Sequence, residues 1–388
     1  MKRVTIKDVA KEAGVSVTLV SFVMNAKVRE DGRLDCPVSA ETAEKVLEVA
    51  KRLGYKRNPA AASLRSGRTN TIAVIPTDIS NKFFAGLARY IEDRSNLYGY
   101  TVLFGSSDEN AAKLGDVMDA VLAYNVDGII VAPVAGGEKA IRKATDLGVP
   151  VVLLDRDIEG LDGVGKVILD DQEAGRMATE EFIRHGFKKI EMISYTLAIS
   201  SLKEREVGYS QTMEAHGLSA FRKVHHTTYE TVDHDIEIII QDMVSRGVEA
   251  IFLPTYSLSA AALMFIKKKG LQVPQDLAVI GFDKSQIYRL FSTSVAHILQ
   301  PQKEFGENAV DILHDMIENK SAGRSIVLKP TLIPGGSVLK DCSFPSEPLS
   351  LLLADAGAPE RAFWCPKTGI CQFGHERGRF GVRVSYRC

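Results

Sequence analysis

From Asn70 onward the hydrophobic positions follow two alternating rhythms. Short runs rich in β-branched residues, TIAVIP, TVLFG, GIIVAP and VVLLD, alternate with longer amphipathic stretches near 83–98, 110–124 and 138–147. A second series repeats the scheme, with KVILD, KIEMIS, AIFLP and LAVIGF as strands and helical stretches near 171–185, 203–216, 233–246 and 258–269. Continuous apolar strands separated by helices predict parallel sheets covered on both faces, and two series predict two lobes. In open sheets of this kind a ligand lies beyond the carboxyl ends of the strands. Thr77, Asp78, Asp155, Arg156, Thr255 and Asp283 are therefore pocket candidates, with a cleft between the lobes as the natural site.

The first 68 residues read as all-helical. Thr5 N-caps a first helix with Asp8 three positions on, and Gly14 ends it. Ser16 then caps a second helix reaching Asn25, and so tight a glycine turn between short helices is a helix-turn-helix arrangement. Ser39 opens a third helix in which Ala43, Val46, Leu47, Ala50 and Leu53 share a face, and Gly54 closes it. In the intervening AKVREDGRLDCP, Glu30, Asp31 and Asp35 offset Lys27, Arg29 and Arg33, which favours a solvated loop over a polyanion contact. NPAAASLRSG follows, with Asn58 able to cap and Pro59 suited to the first helical position. A helix of about two turns is marginal alone and needs a partner to persist.

Composition adds a division of charge. Residues 1–68 hold 14 basic against 8 acidic side chains, and 339–388 hold 7 against 5, so a net charge of -1 leaves the stretch between them acidic. A basic head on an acidic body fits a polyanion-binding head, although modest excesses of this size also arise on solvated surfaces. With 45% hydrophobic residues the chain supports two or three packed domains. No apolar run approaches the roughly 20 residues of a membrane span, and the opening residues lack an apolar signal region, so a cytoplasmic location with no membrane partner is expected. Only Cys36 precedes residue 342, which excludes a disulfide framework for the main fold. Cys365, Cys371, His375 and Cys388 offer ligand types at a spacing that matches no standard zinc site. No metal or cofactor is expected, and the tail from about Leu339 reads as an appendage without periodicity.

The segments TIKDVAKEAGVSVTLVSFVMN and VSAETAEKVLEVAKRLGYKRNPAAASLRSGRTNTIAVIPTDISNKFF are followed by PVVLLDR, the Arg205 to Tyr209 stretch, VPQDLAVIGFD and ILQPQKEFGENAV. In that order and spacing, over residues 3–338, the chain closely resembles the lactose-repressor (LacI/GalR) family of bacterial regulators. The resemblance implies an all-α helix-turn-helix head at 3–57, a hinge helix and linker at 58–68, and a two-lobed α/β domain at 69–338. That domain is periplasmic-binding-protein-like, with parallel sheets in Rossmann-like lobes, and 339–388 is an atypical tail.

A recognition helix enters the major groove by its N-terminal part, which places Val17, Thr18, Ser21 and Phe22 near base edges. Thr5, Ser16 and Asn25 suit phosphate oxygens. Relatives usually carry Arg where this chain has Phe22, which can only touch a thymine methyl, and Thr where it has Leu19. Packing within the head is the competing role for Val17, Leu19 and Phe22. In the family the hinge helix, here with Asn58, Ala61 and Leu64 as its contacts, orders on operator DNA, and the leucine wedges into the minor groove.

By the same resemblance the effector cleft takes Asn81, Phe83, Phe84, Asp155 and Arg156 from the first lobe. Arg205, Thr255 and Asp283 come from the second, and Gln300 from a crossover. Aromatic rings stacking on a sugar face, with carboxylates and Arg bonded to hydroxyls, suit a carbohydrate effector; purines use similar residue types. The competing roles are turn-capping for Asp155 and Asp283, lobe core for one of the two phenylalanines, and an exposed charge for Arg205. The expected function is a repressor acting as a homodimer on double-stranded operator DNA, with effector binding releasing the DNA. A ligand-binding module of the sugar-receptor type with degenerate DNA binding is the alternative. No Walker loop, zinc-protease helix, nucleophile elbow or dinucleotide fingerprint points to an enzyme.

Overall fold

The computed structural model describes residues 4–28, 34–55 and 67–340, with the backbone of strands at 362–365, 369–378 and 381–387. In the head, α1 (Ile6–Ala13), α2 (Val17–Asn25) and α3 (Ala40–Arg52) enclose a small core that includes Val9, Ala13, Val20, Val23 and Val46. Local chemistry sets the helix ends as the spacing predicts. The Thr5 backbone N–H and Oγ1 both donate to the Asp8 carboxylate, at 2.8 and 2.7 Å. Gly14 turns the chain at φ 68°, a left-handed conformation that glycine adopts without steric penalty. The Ser16 Oγ accepts from the Leu19 N–H at 3.2 Å.

Two expectations for the head are corrected. The segment after α2 is not merely a solvated loop: β1 (Lys27–Val28) pairs antiparallel with β2 (Leu34–Asp35). On α3 the core stripe lies one side of the expected one, with Val49 buried and Leu47 42% exposed. A three-helix core is too narrow to cover a whole apolar stripe, and Val46, Val49 and Ala50 are the side that α1 and α2 reach. Asn58, Ala61 and Leu64 of the expected hinge helix lie outside the described residues.

The body begins with β3 (Thr71–Ile75), α4 (Lys82–Leu97), β4 (Thr101–Phe104), α5 (Ala111–Ala123), β5 (Gly128–Val131), α6 (Glu138–Asp146), β6 (Val151–Asp155) and β7 (Gly165–Leu169). It continues through α7 (Asp171–Arg184), β8 (Ile190–Tyr195), α8 (Ser200–Ala215), β9 (Lys223–Thr227), α9 (Val232–Ser245), β10 (Ala250–Phe252) and α10 (Tyr256–Lys269). Then come β11 (Ala278–Phe282), β12 (Ala296–Leu299), α11 (Gln302–Asn319), β13 (Ser325–Leu328) and β14 (Thr331–Ile333).

Two six-stranded sheets result, ordered β13-β7-β6-β5-β3-β4 and β14-β12-β11-β10-β8-β9. The first is parallel throughout; the second is parallel except for β14, which runs antiparallel to β12. The strand KVILD, expected to open the second series, is β7 and belongs to the first sheet, between β6 and β13. The chain passes between lobes after β7, after β12 and after β13. These passages are local, and Lys329 Nζ holds Asp170 at 2.6 Å across two of them.

The helices α7 and α8 cross unusually closely. A Cβ added at Gly175 would lie 2.2 Å from the Arg205 carbonyl oxygen, and one at Gly208 would lie 2.1 Å from that of Gln172. Only hydrogen fits at either place, because the obstacle is backbone. Asp171 and Arg205 are carried by these same two helices, so the crossing sets their separation.

Past residue 339, where the pattern predicts no regular structure, the backbone forms a separate antiparallel sheet. Its strands are β15 (Ala362–Cys365), β16 (Gly369–Gly378) and β17 (Gly381–Arg387). No helix among the described residues is long and apolar enough to cross a membrane, and no group of three or more potential metal ligands occurs among them.

Gly208→Ala should destabilise the body by about 1–3 kcal/mol or more, the range for forcing atoms into a packed interior. Denaturant titration checks this, and a change within 0.5 kcal/mol, roughly what a neutral surface substitution gives, would show that the helices can part without loss.

Candidate functional site

Two surfaces stand out, one on the head and one between the lobes. On α2, Val20 and Val23 turn into the head core while Val17 and Phe22 are 41% and 46% exposed. Thr18 is exposed beside them and Ser21 is half-buried. Large apolar side chains left open on so small a unit favour a partner with methyl groups to cover them. Leu19 instead packs against the head core. The polar neighbours have local duties: Asn25 Nδ2 donates to the Ser21 carbonyl at 2.6 Å and to its Oγ at 3.1 Å. Thr5 is engaged with Asp8, and Ser16 caps α2.

All nine residues expected to face an effector line one cleft between the lobes, whose cavity volume is about 40 Å³. That is well below the roughly 300–1,000 Å³ usual for small-molecule sites, so the lobes have to part further to admit a ligand. Asn81 caps α4 by accepting from the Phe83 N–H at 3.0 Å. Phe83 and Phe84 meet edge to face at 5.1 Å, and both serve the lobe core as well as the cleft wall. Thr255 caps α10 by accepting from the Leu258 N–H at 3.2 Å. Thr77 and Asp78 are not part of the lining: the Thr77 carbonyl accepts from Ser106 Oγ, and Asp78 holds the Ser80 turn.

Asp155 ends β6 and Asp283 follows β11, the third strand of each sheet counted from the β13 or β14 edge. Both residues adopt left-handed φ, 70° and 59°. A non-glycine residue there costs on the order of 1–3 kcal/mol, strain that folds retain where a side chain must be aimed. Their backbones thus occupy equivalent places in the two lobes, and their carboxylates converge on the cleft from opposite sides.

The cations are heavily engaged. Arg205 is buried, not an exposed charge on its helix. Its Nε donates to Asp171 at 2.7 Å and its Nη1 to the Pro254 carbonyl at 2.6 Å, while its guanidinium lies 4.0 Å from the Phe282 ring centroid. Arg156 grips Glu109 through Nη1 and Nη2, both at 2.7 Å. Burial alone would lower the Arg156 pKa, but the bonds to Glu109 outweigh it and keep the guanidinium charged. Burial pushes Asp171 up to about 7 against the pull of Arg205, and Asp283 up to about 7 against Arg205 and Gln300. Asp155 is raised by burial too. Gln300, at the second passage between lobes, donates Nε2 to Asp283 at 3.1 Å and leaves Oε1 buried without a protein partner.

Sequence reasoning missed part of the wall. Ile199, Ser201, Leu202, Tyr256 and Ser257 line it from the starts of α8 and α10, and Tyr229 from the loop after β9. Tyr229 stacks on Tyr195 at 4.1 Å. A search of the first turn of each helix after a strand would have found the former group; β9 itself went unread, so nothing located Tyr229. The lobes also touch, since the Asp157 N–H donates to Ser200 Oγ at 2.9 Å.

Arg205→Met should leave Asp171 buried and unpaired at a loss of about 3–5 kcal/mol, the usual result of breaking a buried pair. Asp171 already titrates above its unfolded value near 3.9, so stability present below that pH is lost as pH rises toward 7. Removing Arg205 enlarges that shift. Urea unfolding of the variant and wild type should show a greater difference at pH 8 than at pH 5, and an equal difference would refute the pairing.

The model for the bacterial regulatory proteins of the lacI family matches residues 5–58, and that for a periplasmic binding protein domain matches 72–321. Catabolite control protein A of Priestia megaterium is 32% identical over 331 residues, covering 84% of this chain and 96% of that protein. The ribose operon repressor of Halalkalibacterium halodurans is 29% identical over 323 residues, covering 81% and 91%. Among solved structures, the lac repressor dimer bound to operator and an anti-inducer superposes with a TM-score of 0.73 at 22% identity. That match covers 87% of this chain and all of the other, and it shows the shared fold. The chain belongs to the lacI family of bacterial regulatory proteins.

Proposed function

We propose that this chain is a transcriptional repressor that binds double-stranded operator DNA as a homodimer and changes its DNA affinity when a small carbohydrate effector fills the cleft. The observation that carries the reading is the joining, in one chain, of an outward apolar face on α2 to an enclosed polar cleft. Family membership, and relatives named as control protein and operon repressor, support it. Val17, Thr18, Ser21 and Phe22 face the bases in this reading, with Thr5, Ser16 and Asn25 at the phosphates and Asn58, Ala61 and Leu64 in the minor groove. Asn81, Phe83, Phe84, Asp155, Arg156, Arg205, Thr255, Asp283 and Gln300 hold the effector.

The division of labour follows residues 3–57 for DNA, 58–68 for the linker and 69–338 for effector binding and dimerisation. The protein acts in the cytoplasm and binds its effector without turning it over. Hydroxyl recognition by Asp and Arg beside stacked rings is binding chemistry, and the cleft offers no nucleophile paired with a base. Effector binding lowers DNA affinity, and by linkage DNA lowers effector affinity by the same factor.

Titration of the promoter fragment upstream of its own gene, across salt concentrations and with or without sugars, tests the reading. Salt-sensitive, sequence-preferring binding is expected; no preference for any such fragment, with and without ligand, would overturn it. Phe22→Ala should cost about 1–3 kcal/mol on the specific site, as losing one base contact does, while leaving non-specific binding and its salt slope unchanged. Equal weakening on all sequences would exclude base reading by this ring.

A further inference from the structure

The charges around the cleft narrow the effector beyond carbohydrate, and this step rests on the effector-site reading above. Six buried or half-buried ionisable groups face or back the space: Asp155 and Arg156 at the end of β6, Glu109 after β4, Asp171 on α7, Arg205 on α8 and Asp283 after β11. At the rim, Lys82 of α4 lies over the Tyr256 ring, and Asp78 is opposite in sign. Both buried cations already have anionic partners, Arg156 in Glu109 and Arg205 in Asp171. Two carboxylates remain. As a direct partner Asp155 has only the Arg156 Nε at 3.5 Å, outside good hydrogen-bond geometry, and Asp283 only the Gln300 amide, with the Arg205 charge acting on both from farther off.

Hydrogen-bonding capacity is biased the same way. Among the charged and amide groups buried in the walls, Asp155, Asp283 and the unpartnered Gln300 Oε1 are acceptors, against which stand the unpartnered Arg156 Nε and the second Arg205 Nη, while the lining hydroxyls and the Asn81 amide serve in either sense. A ligand that completes this cleft has to donate hydrogen bonds. Hydroxyls do so; a phosphate or carboxylate brings further acceptors and a charge of the wrong sign. The left-handed backbone at both Asp155 and Asp283 aims these two acceptors from opposite lobes at one object.

We propose that the cleft selects an uncharged polyhydroxyl ligand and rejects the phosphorylated or carboxylated form of the same sugar, with Asp155 and Asp283 as the residues that set this preference. Neutralising either carboxylate narrows the discrimination.

Isothermal titration of the full chain at pH 8 with matched probes tests it: D-ribose and D-ribose 5-phosphate, D-glucose and D-glucose 6-phosphate, D-galactose and D-galacturonate. Among pairs with a binding member, the neutral sugar should bind at least tenfold more tightly than its anionic counterpart, and Asp283→Asn or Asp155→Asn should reduce that ratio. Anionic forms binding as tightly or more tightly overturn the proposal and leave a carbohydrate-responsive regulator standing. If no sugar binds, the carbohydrate reading fails, and the proposal, which rests on it, fails with it.

Discussion

A guanidinium taken out of water has to be met on several sides at once, and the second lobe is organised around that requirement at Arg205. Desolvating the group costs several kcal/mol. The Asp171 carboxylate, the Pro254 carbonyl and the face of Phe282 offset it, and they come from α7, the end of β10 and β11. Satisfying one side chain on α8 therefore fixes three other elements at the carboxyl edge of the sheet. The glycine-to-backbone crossing of α7 and α8 makes the geometry possible, because a wider spacing would carry the carboxylate away from the guanidinium. The cleft wall inherits its shape from this one buried cation.

The legible parts of the molecule are those where one physical effect dominates. Strands buried on both faces show as unbroken apolar runs, and each such run in the body is a strand of the structure. Helix ends at Thr5, Gly14, Ser16 and Ser39 follow from capping chemistry that acts over three or four residues. What escaped depends on distant partners. Nothing in KVILD tells which sheet it joins, because that depends on where the chain crosses between lobes. The edge strand β9, KVHHT, is only partly buried and largely polar, so it carries no apolar run, which hid Tyr229 on the loop beyond it. The cleft residues came from family resemblance, while the burial of Arg205, its pairing with Asp171 and the left-handed backbone at Asp155 and Asp283 are visible only in three dimensions.

Charge is partitioned between the two working surfaces in opposite senses. Residues 1–68 carry a basic surplus of six, while around the cleft the lining Asp155 and Asp283, with Glu109 and Asp171 behind them, exceed the cations Arg156 and Arg205. The head's surplus acts through solvent and is screened by salt over about 8–10 Å. The cleft's surplus acts in a space that excludes most water, where each charge is felt more strongly. One chain thus favours a polyanion at one end and disfavours small anions at the other, without either field cancelling the other.

The connection between these surfaces runs along α11. Gln300, bonded to Asp283 in the cleft, stands two residues before the helix begins at Gln302. Eighteen residues later the helix ends, having spanned about 27 Å at 1.5 Å per residue. At that far end Glu318 and the Ile317 carbonyl hold Arg68, which precedes β3 and follows the segment leading from the head. The helix is also packed on α4 and on the first sheet through Phe305, Ala309, Leu313 and Met316, so it moves with the first lobe as a body. Gln300 stands at the N-terminal end of this rod, and the anchor of the linker is at its other end. The helix is thus a contiguous physical path between the cleft and the segment leading from the head, with a hydrogen-bonded group near each terminus.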